Sequence, residues 1–153
     1  MDLQFRKLKA NESNLYREIR LESLKKFPKN FGSSYKSESK ITSSFFQSYI
    51  ELQDINNFVI GAFYKDSLIG ISGFNRYVAE KTKHRGRIIQ VYVKSEFQGQ
   101  QIGSKIIRKT LREAFKISEI EQIEINVLTT NEKTEILYSK LGFKTYGTQK
   151  QYL

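Results

Sequence analysis

The sequence contains no cysteine and no tryptophan, and it has one histidine, one methionine and one proline among its 153 residues. Without cysteine, the chain forms no disulfide bond, no thiolate nucleophile and no cysteine-ligated zinc site. Its apolar runs are far shorter than the ~20 residues of a membrane-spanning helix, and its first residues lack the basic and then apolar pattern of a signal peptide. We therefore expect a soluble cytoplasmic protein with no membrane association and no metal site.

Acidic residues are also scarce, because 26 Lys and Arg against 16 Asp and Glu give a formal net charge of +10. Residues 76–112 hold ten basic and only two acidic side chains. A basic surface of this kind is compatible with nucleic-acid binding, with an anionic cofactor or with simple solvation. Charge by itself leaves these three interpretations open.

The pattern of apolar residues predicts one domain over residues 1–153, with the element order β-α-α-β-β-β-α-β-α-β. This order is typical of a layered α/β fold. The predicted elements are a strand near 3–8, a helix ended by Pro28, a helix within 45–52, a hairpin over 58–74, strands at 88–93 and 123–127, helices at 102–115 and before Gly142, and a last strand starting at 143–146.

Small and polar residues follow the predicted strand at 88–93 and lead into the next helix. At such a helix start several backbone N–H groups have no intrahelical partner, and the helix dipole adds positive charge. Gly99 and Gly103 would let phosphate oxygens approach the backbone closely. An ordinary tight turn would also explain these glycines, so this motif by itself is weak.

Two motifs in this order resemble those of the GCN5-related N-acetyltransferase (GNAT) superfamily, in its small bacterial-type members. The family's acyl-CoA motif is Arg or Gln, two residues, Gly, one residue, then Gly or Ala, and this chain has Gln98, Gln101 and Gly103 at those places. The second motif is Asn131 followed by Ile-Leu-Tyr-Ser-Lys-Leu-Gly-Phe at 136–143. The resemblance covers nearly the whole sequence.

The resemblance implies a central mixed, mostly antiparallel twisted sheet flanked by helices, in a single acyl-CoA N-acyltransferase domain. It implies an enzyme that transfers the acetyl group of acetyl-CoA to a primary amine of a small molecule, peptide or protein. Tyr138 would give a proton to the departing sulfur, and a backbone N–H of the central strand would polarise the thioester oxygen. The implied cofactor-binding residues are Val91, Tyr92, Val93, Gln98, Gly99, Gln100, Gln101, Ile102, Gly103, Ser104, Asn131 and Tyr138.

The sequence departs from the family at three places. Gln101 stands where the family has glycine, which costs ~1 kcal/mol or more if the backbone there is left-handed. No carboxylate lies in residues 87–93 to serve as general base, which leaves Tyr92, an ordered water, Glu38 or His84. We expect the last strand of the family to be missing from this sequence and the C-terminal region to pair with another subunit in a homodimer.

The acceptor amine is expected to lie against the connection between the first two helices. There the resemblance implies Phe31, Ser33, Ser34 and Tyr35 as substrate residues, with Gln90 on the central strand. A capped turn between helices would explain the serines equally well. Likewise, Asn131 could be only a helix cap and Tyr138 only a core tyrosine.

Two other functions compete with acetyl transfer. The first is a catalytically silent domain that keeps the fold and binds CoA or a protein partner, which Gln101 and the missing base favour. The second is a nucleic-acid-binding module on the basic surface of 76–112. We consider nucleic acid an unlikely partner, because the basic stretch coincides with the phosphate site and no recognised nucleic-acid motif is present.

Overall fold

The computed structural model describes residues 2–28, 34–41, 43–126 and 132–147. Within them five strands form one sheet in the order β1-β2-β3-β4-β5. The strands are β1 Leu3–Lys7, β2 Asn57–Tyr64, β3 Ser67–Arg76, β4 Arg85–Val93 and β5 Gln122–Ile125, and the helices are α1 Ser13–Lys26, α2 Tyr35–Ser39, α3 Gln47–Leu52, α4 Ile102–Ala114 and α5 Glu132–Lys140. The predicted order is confirmed from β2 to α5, and between β1 and β2 the structure has three α-helices where two were predicted.

The sheet is mixed and mostly antiparallel, as predicted. Strands β1 to β4 pair antiparallel with their neighbours, whereas β4 and β5 pair in parallel. A parallel pair needs a crossover connection, and α4 provides it. The predicted hairpin is β2 and β3, joined by a two-residue turn in which Lys65 has a left-handed φ of 55°.

Two apolar clusters lie on the two faces of the sheet. On one face α4 contributes Ile102, Ile106, Ile107 and Ala114, which are fully or almost fully buried with Tyr138 of α5. On the other face Tyr16 and Ile19 of α1 pack with Phe46 and Ile50. Phe115, expected in the buried stripe of α4, is half exposed because the helix ends at Ala114.

Glycine allows an aromatic ring to lie directly on the sheet at two places. A Cβ on Gly73 would lie 2.6 Å from Phe46 Cε2, and a Cβ on Gly86 would lie 2.4 Å from Phe74 Cζ. Both rings are fully buried. Any side chain at these positions would have to displace one of these rings.

Two expectations need correction. The helix predicted within 45–52 is the short α3, and α2 is an additional helix before it. Leu52, at the end of α3, is 78% exposed, so the apolar face of this helix does not include it. The predicted last strand is not formed, since residues 143–147 belong to no strand. There Phe143 packs on Tyr138 and Tyr146 hydrogen-bonds Glu124 of β5, so side-chain contacts replace a backbone ladder.

None of the helices in the described ranges is both long enough and apolar enough to cross a lipid bilayer.

Candidate active site

Strand β4 has two differently paired halves. Its parallel pairing with β5 runs from Arg85 opposite Gln122 to Ile88 opposite Ile125, and it stops there. β4 continues for five more residues, to Val93, with only β3 recorded beside it. Among the residues that the structure describes, none pairs with the backbone of residues 89–93 on its β5 side. In this sense the half is open, and an extended ligand could hydrogen-bond there as an additional strand would.

A β-bulge lies at the start of this open half. Ile89 pairs with Gly73 and Tyr92 pairs with Ile71, so Gln90 and Val91 both lie opposite Ser72. Gln90 has a left-handed φ of 61°, which is uncommon for a residue with a side chain. The bulge turns the backbone of β4 at the centre of the sheet, next to the open edge.

The loop after β4 ends at the N-terminus of α4. The first backbone hydrogen bond of α4 runs from Lys105 N–H to Gln101 O at 3.1 Å. The amides of residues 102–104 therefore have no partner inside the helix. The Gln98 side chain donates to Val93 O at 3.0 Å and ties the loop to the end of β4. These amides and the positive end of α4 form a suitable site for phosphate oxygens.

The two glycines of this loop leave space that the protein itself does not fill. Gly99 has a φ of +83°, and a Cβ built there meets no atom within 4 Å. A Cβ on Gly103 would have only Leu137 Cδ2 nearby, at 3.9 Å. Packing within the chain does not require glycine at 103. The absence of a side chain at 103 leaves room for close approach of a ligand to the first turn of α4.

Gln101 adopts the conformation that makes its replacement of glycine costly. It caps α4 at φ 62° and ψ 18°, in the left-handed region, and its side chain makes no capping hydrogen bond. A left-handed backbone costs a residue with a Cβ about 1–2 kcal/mol. Gln101 therefore follows the backbone path that glycine would take at this position, and its left-handed conformation lowers the stability of the fold.

Tyr138 is buried beneath the same region. It is 9% exposed, it belongs to the apolar cluster that contains Ile102 and Ile106 of α4, and its ring centre lies 6.0 Å from that of Phe143. Its hydroxyl has no hydrogen-bond partner recorded within the described ranges. Burial raises the pKa of Tyr138 to about 12, so the hydroxyl keeps its proton at neutral pH. The side chain is both a core residue and a proton donor.

The two polar side chains of the open half of β4 contact α1. Tyr16 donates its hydroxyl hydrogen to Gln90 Oε1 at 2.7 Å, and Tyr92 donates to Glu22 Oε2 at 2.6 Å. Burial raises the pKa of both tyrosines, so both hydroxyls remain donors. Gln90 and Tyr92 thus share the α1 face of the sheet, as their spacing suggested.

The other predicted acceptor residues give a mixed result. Ser34 caps α2 and accepts a hydrogen bond from Ser37 N at 3.1 Å, so its oxygen has the structural role that the turn interpretation gave it. Tyr35 is 40% exposed, with Lys25 Nζ 5.7 Å from its ring centre. Phe31 and Ser33 lie outside the described residues, as does Asn131.

Two of the candidate general bases are poorly placed. Glu38 is buried and its carboxylate forms an ion pair with Arg20 of α1, Nε to Oε1 at 3.0 Å. His84 precedes β4, and its carbonyl oxygen accepts from Glu121 N at 2.8 Å beside the start of β5. His84 is thus at the opposite end of β4 from the open half.

Glu22 is the site residue that the sequence analysis missed. Besides accepting from Tyr92, it lies 3.5 Å from Lys94 Nζ and 4.0 Å from Lys26 Nζ. In the sequence it is one polar residue on a helix, 70 positions from Tyr92. Among the residues whose placement is described, no three His, Asp or Glu side chains cluster closely enough to hold a metal ion.

The structure thus combines a mixed sheet, a β4 that continues past its described pairing with β5, and a helix start with unpaired amides. Residues 17–143 match the model of the Acetyltransferase (GNAT) family, and the chain belongs to this family. Members of this family generally use acetyl-CoA.

A curated relative and two solved structures illustrate the match. Thialysine N-epsilon-acetyltransferase of Bos taurus is 36% identical over 75 residues, which are 47% of this chain and 44% of the bovine protein. The structure of a GNAT-family acetyltransferase from Streptococcus pneumoniae superposes with a TM-score of 0.85 at 18% identity, covering 99% of this chain and 90% of that one. An aminoglycoside acetyltransferase from an uncultured soil metagenomic sample gives a TM-score of 0.73 at 18% identity, with 97% and 96% covered.

The matched segment is thus less than half of the bovine protein's length, and the two structures establish the fold of this chain.

Proposed function

We propose that this protein transfers the acetyl group of acetyl-CoA to a primary amine, with residues 1–153 acting as one acyltransferase domain. The observation that carries the proposal is the continuity of the open half of β4 with the exposed amides that start α4. The extended, amide-containing arm of acetyl-CoA leads to phosphate groups. Its binding needs an open strand for the arm and, next to it, free backbone amides for the phosphates. Acetyl-CoA supplies, when bound, the thioester from which the acetyl group is taken.

The roles proposed for the described residues follow from their positions, whereas that of Asn131, which lies outside them, follows from the family resemblance alone. The backbone of Val91, Tyr92 and Val93 would pair with the amide arm of the cofactor, and a β4 N–H would polarise the thioester oxygen. The backbone amides of residues 98–104 would hold the phosphates, and Asn131 would contact the arm. Tyr138 holds at its hydroxyl a proton that it can give to the departing sulfur, because its raised pKa keeps it protonated.

A small-molecule or peptide amine is the acceptor that we propose. The bovine relative is named for an ε-amine and the metagenomic structure for aminoglycosides, so amines recur among similar proteins. On this chain the acceptor would enter on the α1 face of β4, near Gln90 and Tyr92. We found no observation that favours the silent-domain alternative.

Calorimetric titration with acetyl-CoA at moderate salt tests the cofactor site. We expect one-to-one binding in the micromolar range, and weaker binding of dephospho-CoA, which controls for simple charge attraction. Thiol release is then measured with a panel of primary amines, including thialysine, an aminoglycoside and a peptide with a free N-terminus. Tight binding without thiol release from any amine would favour a silent domain that binds CoA. No binding would contradict acetyl transfer and favour a silent domain that binds a protein partner.

A further inference from the structure

Glu22 lies next to the part of β4 where the proposed reaction takes place. It hydrogen-bonds Tyr92, two residues beyond the bulge at Gln90, and it is within ion-pair distance of Lys94, the first residue after β4. Among the carboxylates of the described ranges, it is the one with a hydrogen bond to residues 89–93. Its side chain is 26% exposed, so a ligand on the α1 face can reach it.

We infer that Glu22 is the general base that removes the proton from the acceptor's ammonium group. The inference rests on the proposed function. An alkylammonium group has a pKa near ~10 and must lose a proton before its nitrogen can attack a thioester. In this step the N–H bond breaks, its electron pair stays on nitrogen, and the proton passes to Glu22 Oε1 directly or through one water. The carboxyl group then releases the proton to solvent.

Tyr92 positions this carboxylate. Its hydroxyl donates to Oε2 at 2.6 Å, so Oε1 is the oxygen that faces the acceptor. Lys94 Nζ lies 3.5 Å from Oε1 and forms an ion pair with it, and the acceptor's ammonium group would have to displace this lysine or share the oxygen with it. Burial, and then the neighbouring Glu22, raise the pKa of Tyr92, so the phenol stays protonated and is not itself the base. The charged groups around the pair are Lys26 on α1, Lys94 after β4 and Glu96 in the following loop.

The test compares Glu22→Gln with Glu18→Gln, a matched change at an exposed position on the same helix. The acceptor is whichever amine of the panel releases thiol with the wild-type protein. We expect Glu22→Gln to lower kcat/KM about 100-fold at pH 7, the usual contribution of a general base. The defect should shrink as the pH approaches the pKa of the amine, since the amine then arrives without its extra proton. Glu18→Gln should follow the wild-type profile.

A second readout needs no turnover. The same amine is titrated calorimetrically into the complex of each variant with CoA, which has no acetyl group to transfer. Acetyl-CoA affinity should be equal in all variants, whereas the ammonium form of the amine should bind at least severalfold more weakly to Glu22→Gln. Tyr92→Phe keeps the Glu22 carboxylate but removes the hydrogen bond that positions it, so we expect a smaller rate loss, about tenfold. This variant also provides the test if Glu22→Gln does not fold.

Three outcomes would overturn the inference. A Glu22→Gln rate within threefold of Glu18→Gln would leave acetyl transfer intact and remove Glu22 from it. A defect that stays constant from pH 7 to pH 10 would assign Glu22 a purely structural role. A wild-type protein that binds acetyl-CoA and acetylates no amine would refute the proposed function, and the inference with it.

Discussion

The two halves of strand β4 differ in what surrounds them. From Arg85 to Ile88 the strand has β3 on one side and β5 on the other. Its exposed side chains there are held in place, since Arg85 pairs with Glu124 and Arg87 donates to Asn75 Oδ1 at 3.1 Å. From Ile89 to Val93 no described residue pairs with the strand on its β5 side, and a bulge interrupts the ladder with β3 on the other.

Within the nine residues of β4, one half contributes to the stability of the sheet and the other half lies at the candidate active site. The paired half satisfies its backbone groups with the protein's own strands, which fixes the sheet. The open half leaves backbone groups for a ligand, and the candidate catalytic side chains gather around it. We therefore expect substitutions in the two halves to affect different measurements.

The largest effect is expected in the paired half. Ile88 is 2% exposed in the cluster that α4 covers, and Ile88→Ala should lower the free energy of unfolding by about 3 kcal/mol through lost burial and a cavity. Urea denaturation measures this, with Val78→Ala in the exposed loop before β4 as the control. Acetyl-CoA affinity of the folded fraction should change less than threefold, and a larger change would mean that the two halves are coupled.

Tyr138 of α5 belongs to the apolar cluster against which Val91 and Val93 of the open half pack, and Tyr138→Phe should act on the rate. We expect kcat to fall about 100-fold, because the general acid is lost, with acetyl-CoA affinity within about twofold of wild type. Unfolding free energy should barely change, since the hydroxyl has no recorded hydrogen-bond partner in the described chain. Tyr49→Phe, outside the site, is the matched control.

The pH profile of the wild type extends this prediction. Because the pKa of Tyr138 is raised to about 12, the phenol should remain protonated throughout the usable range. Its ionisation should therefore cause no loss of kcat below pH ~10, the ordinary pKa of tyrosine. An alkaline loss at lower pH that disappears in Tyr138→Phe would contradict the assignment.

A smaller effect is expected at Gln101. Gln101→Gly removes the strain of a left-handed side-chain residue and should stabilise the fold by about 1 kcal/mol. Acetyl-CoA affinity should change less than tenfold, because the backbone path is already correct. Gln100→Gly, at a neighbouring position without a positive φ, should bring no such gain. A larger gain in affinity would indicate that Gln101 impairs the site.

The smallest effect is expected at the far end of β4. His84→Ala should leave kcat within about twofold, because His84 adjoins the paired half and its recorded bonds to residues 121 and 122 use its backbone oxygen. Thiol release under the Tyr138→Phe conditions measures it. A hundredfold loss with unchanged cofactor affinity would place His84 in the chemistry after all.

Local patterns were sufficient for much of the fold. The alternation in β2 and β3 and the strongly amphipathic α4 follow directly from periodicity, and the crossover from β4 to β5 follows from their order. The glycines at 99 and 103 indicated the open space at the start of α4. The prediction that the last strand starts at 143–146 was wrong, because aromatic residues after a helix stop indicate apolar contacts and not whether a neighbouring backbone is available.

The missed features depend on distant contacts. Glu22 is one of several charged residues on α1, and only the packing of that helix on β4 brings it to Tyr92. The left-handed φ of Gln90 depends on the bulge opposite Ser72, and the residue types in β4 do not predict that bulge. Ser34 had two plausible roles in the sequence, and its bond to Ser37 assigns the capping one.

The bulge also bears on how the protein avoids aggregation. An open strand edge is a template on which another chain can add a strand. At Gln90 the backbone twists out of the extended path, so a long segment could not keep its register along β4. Only a short extended molecule can pair with the five open residues. The bulge that shapes the candidate site therefore also opposes the addition of strands from other chains to the sheet.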